Sequence, residues 1–160
     1  MPDALDSEAD TMSELQEAVR AALARDGALA RADPQHRERE VQLQMALGVC
    51  QAIEQRSALV VEAGTGVGKT FAYLVPTLLS GARALLSTAT KSLQDQLFLR
   101  DLPRLLAALN VPVSVALLKG RGSYLCLHRL GQARQSGTLP DRWAVRSLAK
   151  IEAWSHRTRS

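Results

Sequence analysis

The apolar positions in the first third of the chain recur at helical intervals. Leu15, Val19, Ala22 and Leu23 fall on one helical face. Ser13 and Gln16 stand ahead of them at capping-box spacing, and Gly27 offers a stop. Ala32 to His36 reads as a linker around Pro34. A second helix is predicted from Glu38 to Glu54, with Met45, Val49, Ala52 and Ile53 on one face.

The period then changes. Ala58-Leu59-Val60-Val61 is short, wholly apolar and rich in β-branched residues, the pattern of a strand buried on both faces. A glycine-rich turn from Gly64 to Gly68 leads into a helix from Lys69 to Leu79, with Pro76 inside it as the point of a kink. Ala82 to Ser87 reads as a second strand and Lys91 to Leu99 as a helix that Pro103 interrupts before Leu105 to Leu109. Val113 to Leu117 reads as a third strand, and Asp141 to Trp154 as one more helix in a polar, basic remainder. Strands alternating with helices imply right-handed crossovers and a parallel sheet, so the predicted class is α/β.

Composition narrows the classes. The chain has 160 residues, 46% hydrophobic and 22% charged, enough for one domain with a core. No apolar run reaches the roughly 20 residues that span a bilayer. Met1 to Asp10 carries four acidic and no basic residues, unlike a secretory signal. A disordered acidic leader and a cytoplasmic location are therefore expected, with no membrane partner. Charge is unevenly spread: residues 1–90 hold 8 Lys/Arg against 12 Asp/Glu, and residues 91–160 hold 12 against 4. A polyanionic partner and an accidentally unbalanced surface both explain that asymmetry. Two cysteines, Cys50 and Cys126, do not make a disulfide framework. Cys50 falls in a helical pattern as a small core residue.

The sharpest chemistry lies in Ala63-Gly64-Thr65-Gly66-Val67-Gly68-Lys69-Thr70. A P-loop asks for Gly, four residues, then Gly-Lys-Ser/Thr, between a strand and a helix. Its glycines let backbone N–H groups approach phosphate oxygens, and the following helix turns its positive dipole end on the same anion. Lys69 is expected to reach the β- and γ-phosphates and the Thr70 hydroxyl to ligate Mg²⁺. Ala63 replaces the first glycine, at a position that asks for a small residue.

Four collinear stretches extend the match. Val60 to Thr70 resembles the Walker A segment of the DinG/YoaA-type, XPD-like ATP-dependent DNA helicases of superfamily 2. Arg39-Glu40-Val41-Gln42 resembles their upstream Arg-x-x-Gln segment, and Ser87-Thr88-Ala89-Thr90-Lys91-Ser92-Leu93-Gln94 their motif Ia. Leu117 to Cys126 resembles the approach to an iron–sulfur cluster. The resemblance covers about Arg39 to Arg129. It implies a RecA-like parallel sheet with flanking helices, and ATP with Mg²⁺ bound by Arg39, Gln42 and residues 63–70. Gln42 would select adenine, since an amide offers a donor and an acceptor together; an ordinary polar helix position is the other reading. Thr88, Thr90 and Gln94 would hold phosphates of single-stranded DNA without reading sequence, although Thr90 equally suits a helix N-cap. Cys126 would be the first of four thiolates on a 4Fe–4S cluster in the full-length protein; alone, a cysteine between Leu125 and Leu127 is more often core. Ser123 departs from the asparagine common in that stretch.

The resemblance divides the chain into an acidic leader and helix (1–36), the first half of a motor domain (37–122) and the start of a cluster insertion (123–160). The family's Asp-Glu-x-His motif, which supplies the carboxylate beside Mg²⁺, has no counterpart, because no Asp-Glu pair occurs in the sequence. An N-terminal part of a helicase that does not itself turn over ATP is the expectation. Another P-loop nucleotide-binding protein, or a basic nucleic-acid-binding module without enzymatic activity, is the alternative.

Overall fold

The computed structural model describes residues 12–137 and 139–158. The expected acidic leader, Met1 to Asp10, lies outside them. The chain forms two compact units, one running to Val115 and the other beginning at Ala116.

The first unit is a cluster of helices. Helix α1 (Glu14–Leu23) opens on the predicted capping box: the Ser13 hydroxyl accepts from the Gln16 N–H at 3.1 Å, and the Gln16 side chain accepts from the Ser13 N–H at 3.3 Å. Each bond satisfies an amide that the helix leaves without a partner. Gly27 is not only a stop. It precedes a short helix, α2 (Ala28–Ala32), which the sequence did not predict and which ends where the expected linker, Ala32 to His36, begins. A Cβ on Gly27 would run into the carbonyl oxygens of Ala21 and Ala22, so only glycine permits this tight reversal. Helix α3 (Glu40–Gln55) and helix α4 (Lys69–Leu79) pack on each other and on α1. Val19, Leu43, Ala46, Cys50, Leu74 and Val75 are fully or almost fully buried between them. Pro76 is buried inside α4, which runs unbroken to Leu79.

Pro103 does not interrupt the next helical run. Helix α5 (Lys91–Gln96) passes through a π-helical turn (Leu97–Asp101) into α6 (Leu102–Leu109). The Leu102 N–H bonds to the Leu97 carbonyl five residues back, and Pro103 falls in the first turn of α6. The wider π turn just before it, whose bonds run five residues back, accommodates a residue that donates no N–H without ending the helical run.

The predicted strands are where sequence and structure part. Among the described residues no strand forms: residues 58–61, 82–87 and 113–117 carry no ladder pairing. All their residues but the half-buried Leu117 are exposed, Val60 at 97% and Leu85 at 90%. A strand exists only through hydrogen bonds to a neighbour, so apolar β-branched composition cannot make one alone. An open cavity of about 520 Å³ lies between α3 and the first of these runs, lined by Met45, Val49, Ile53, Leu59, Val61 and Tyr73 among others.

In the second unit, a 3₁₀ turn (Arg121–Ser123) leads to α7 (Leu127–Gln135) and α8 (Arg142–Ser155). The Asp141 side chain caps α8 by accepting from the Ala144 N–H at 2.7 Å. An Arg134–Glu152 ion pair joins the two helices. Among the described residues no helix is long and apolar enough to cross a membrane.

Candidate nucleotide-binding site

The glycine-rich loop sits between the exposed run ending at Glu62 and the first residue of α4, Lys69. Gly66 and Gly68 hold left-handed backbone, at φ +82° and +84°, where a side chain would be strained. Gly68 is the residue immediately before α4, so its conformation sets the angle at which the loop enters the helix. The sequence predicted both the helix start and the need for glycine here.

Two opposing sets of contacts fix the loop. At the start of α3, the guanidinium of Arg39, the residue just before the helix, donates to the Gly66 carbonyl, and the Gln42 side-chain amide donates to the Gly68 carbonyl at 2.9 Å. Gln42 is only 5% exposed. From α4, the Lys69 ammonium donates to the Ala63 and Gly64 carbonyls at 2.8 and 2.6 Å. The Gly68 carbonyl also accepts the N–H groups of Phe71 and Ala72 as α4 begins. The carbonyls of residues 63, 64, 66 and 68 are therefore taken up by protein groups and residues 65 and 66 make a hydrogen-bonded turn, whereas among the described residues the amide N–H groups of residues 68–70, where α4 begins, donate to no protein acceptor. Such a loop at a helix N-terminus is suited to an anion.

Thr70 follows Lys69 in the first turn of α4, one turn before Tyr73. The Tyr73 hydroxyl titrates above its ordinary value: burial raises it, the nearby Thr70 side chain offsets part of that, and the Asp101 charge adds to it. Asp101 is buried in the π-helical turn, where it accepts from Gln96 at 2.9 Å and Arg100 at 3.0 Å. Sequence reasoning singled out neither Tyr73 nor Asp101. The spacing of Tyr73 from Thr70 was the available signal; nothing local marks Asp101 as buried.

Thr88, Thr90 and Gln94 gather at the start of α5. The Thr90 hydroxyl caps that helix by accepting from the Leu93 N–H at 3.2 Å, and its carbonyl accepts from the Gln94 N–H at 3.0 Å. Thr88 directs its hydroxyl to the Thr90 carbonyl at 3.5 Å. The helix half of the expected strand-to-helix junction is present; the strand half is not.

Cys126 belongs to the second unit, exposed at the residue that precedes α7. A loop before it is closed by the Tyr124 hydroxyl, which accepts from the Lys119 N–H at 2.9 Å. A 4Fe–4S cluster needs four thiolates. One exposed cysteine does not meet that need, and among the described residues no three His, Cys, Asp or Glu side chains group to hold a metal. Cys50 is buried in α3, its thiol pushed up to about 11 by burial and then by the Glu54 charge.

Comparison with known proteins gives the family. Residues 41–144 match the DEAD/DEAH box helicase family. The ATP-dependent DNA helicase YoaA of Haemophilus influenzae is 51% identical over 124 residues, 78% of this chain and 19% of the relative. YoaA of Escherichia coli is 51% identical over 134 residues, 83% of this chain and 21% of the relative. The ATP-dependent helicase DinG of Mycobacterium tuberculosis H37Ra is 39% identical over 141 residues, 75% of this chain and 21% of the relative. The chain thus spans about a fifth of the length of these curated relatives. No solved structure matches it. With more than half of its residues matched by the family and half of the aligned positions identical to YoaA, the chain belongs to the DEAD/DEAH box helicases.

Proposed function

We propose that this chain is the nucleotide-binding front of an ATP-dependent DNA helicase motor. The observation that carries the proposal is the loop at the start of α4, with its carbonyls held by protein and the N–H groups of residues 68–70 without an acceptor among the described residues. Residues 63–70 would cradle the ATP phosphates, with Lys69 as the principal point charge and Thr70 ligating Mg²⁺. Gln42 would select adenine, with Arg39 beside it. Thr88, Thr90 and Gln94 would hold the backbone of single-stranded DNA. The three runs predicted as strands would pair in the parallel RecA-like sheet of the whole motor, and the apolar cavity beside Leu59 and Val61 supports a surface that such packing covers.

Hydrolysis requires a carboxylate beside Mg²⁺ and a group to orient water. No Asp-Glu pair is present in the 160 residues, so we assign binding without turnover to this chain and unwinding to the full-length helicase. The division into a leader and helix (1–36), motor (37–122) and cluster insertion (123–160) belongs to the same proposal. So does a 4Fe–4S cluster in the full-length protein, with Cys126 as one thiolate, and a cytoplasmic location. Titration of the chain with ATP–Mg²⁺ tests the nucleotide assignment. Saturable binding that Lys69→Ala removes supports it, and equal binding by both proteins refutes it.

A further inference from the structure

The two carbonyls that α3 captures belong to the two left-handed glycines of the loop. Gly66 is held by Arg39 and Gly68 by Gln42. The donors are three residues apart, Arg39 the extended residue that precedes α3 and Gln42 in its first turn; on the loop the acceptors are two residues apart. The register is tight at one end. A Cβ on Gly68 would fall on the Gln42 amide nitrogen, whereas a Cβ on Gly64 or Gly66 would meet nothing within 4 Å. Gln42 is thus packed against the corner residue of the loop as well as bonded to it.

We infer that Arg39 and Gln42 are positioning residues that hold the phosphate loop by its glycine carbonyls, so that they support binding of a bare polyphosphate carrying no base. A peptide unit points its carbonyl and its N–H in opposite directions. Pinning the carbonyls of residues 66 and 68 from α3 therefore fixes the direction of the N–H groups of residues 67 and 69, which face the phosphates in the proposed site. Left-handed glycines are the residues that most need such restraint, because their backbone is the freest in the loop. Preorganising the donors lowers the ordering cost of binding. This rests on the nucleotide-binding reading and adds to it: a residue that only reads adenine does nothing for a ligand without adenine.

Inorganic tripolyphosphate with Mg²⁺ is the probe, titrated into the 160-residue chain and its variants. Lys69→Ala sets the floor. Gln42→Ala and Arg39→Ala are each expected to weaken tripolyphosphate by about fivefold to tenfold, the loss of roughly one hydrogen bond. Arg39→Lys, which keeps a donor of similar reach, is expected to recover most of its share. Because Gln42 is buried, Leu105→Ala serves as a destabilising control in α6; it should lower the melting temperature while leaving tripolyphosphate affinity within twofold. Exposed Arg39 gives a second reading that does not disturb the core. If Gln42→Ala and Arg39→Ala lose ATP but keep wild-type affinity for tripolyphosphate, they read the nucleotide and do not position the loop, and the inference is wrong while the phosphate site stands. Equal losses in the Leu105 control also overturn it. If wild type binds neither ligand, the nucleotide-binding proposal fails and takes this inference with it.

Discussion

The Lys69 ammonium donates to the Ala63 carbonyl at 2.8 Å, across the loop that separates them in sequence. The side chain of the first residue of α4 thus folds back over the segment that leads into it. A phosphate in the loop would compete with carbonyls for the same charge, and an ionised oxygen is the stronger partner. Lys69→Ala should therefore abolish ATP–Mg²⁺ binding, seen by calorimetry. The cost to the fold should be small, about 1 kcal/mol for a partly exposed hydrogen-bonding side chain. A fall in thermal stability large enough to unfold the protein would show instead that Lys69 is chiefly structural.

Base selectivity should separate from phosphate binding at Gln42. In the full-length helicase, Gln42→Ala is expected to weaken ATP more than GTP, since only adenine loses a matched donor and acceptor. Competition of each nucleotide against a fluorescent ATP analogue measures the ratio. Equal losses for both would leave Gln42 with the loop contact alone.

The capping box makes a stability prediction that is independent of function. Ser13→Ala removes the acceptor for the Gln16 N–H at the start of α1, whose Val19, Ala22 and Leu23 are buried. The expected cost is about 1 kcal/mol, read as a lower midpoint in urea unfolding at unchanged slope. An unchanged midpoint would mean that α1 contributes little to the unit.

What could be read from the sequence follows from how local each cause is. The helix from Lys69 to Leu79 was legible to the residue, because a glycine-rich turn and a run of helix-compatible apolar positions bound it. The capping box was legible for the same reason: Ser13 and Gln16 are three residues apart. The loop residues Gly66, Gly68 and Lys69 were legible because their chemistry demands those residue types. The strands were not, since pairing is non-local: Val60 has strand composition and lies 97% exposed without a partner. The continuous run through Pro103 was missed because a π-helical turn leaves no local signature beyond the proline it accommodates. The contact of Gln42 with Gly68 spans 26 positions in sequence, and no local pattern announces it.

The two cysteines should behave oppositely toward alkylating reagents. The thiolate is the reactive form, and burial holds the Cys50 thiol near 11, so it stays protonated until pH rises through that value. Folded protein at pH 8 should therefore label at exposed Cys126 and not at Cys50, with Cys50 reacting only on denaturation. Mass spectrometry of the labelled peptides reads this directly, and rapid labelling of Cys50 in folded protein would contradict the packing of α3. In the full-length helicase, Cys126→Ser should lose iron while Cys50→Ser keeps it. Full iron retention in the Cys126→Ser protein would withdraw Cys126 from the cluster.

If the phosphates of ATP lie against the backbone of residues 64–70, hydrogen exchange at those amides responds to nucleotide. Exchange is measured by mass spectrometry on the chain with and without saturating ATP–Mg²⁺, for wild type and Lys69→Ala. Slowed exchange is expected over residues 64–70 in wild type, absent in the variant, with the core of α1 unchanged in both. Nucleotide that binds without slowing exchange in residues 64–70, or that slows it equally in Lys69→Ala, would show that the phosphates lie elsewhere.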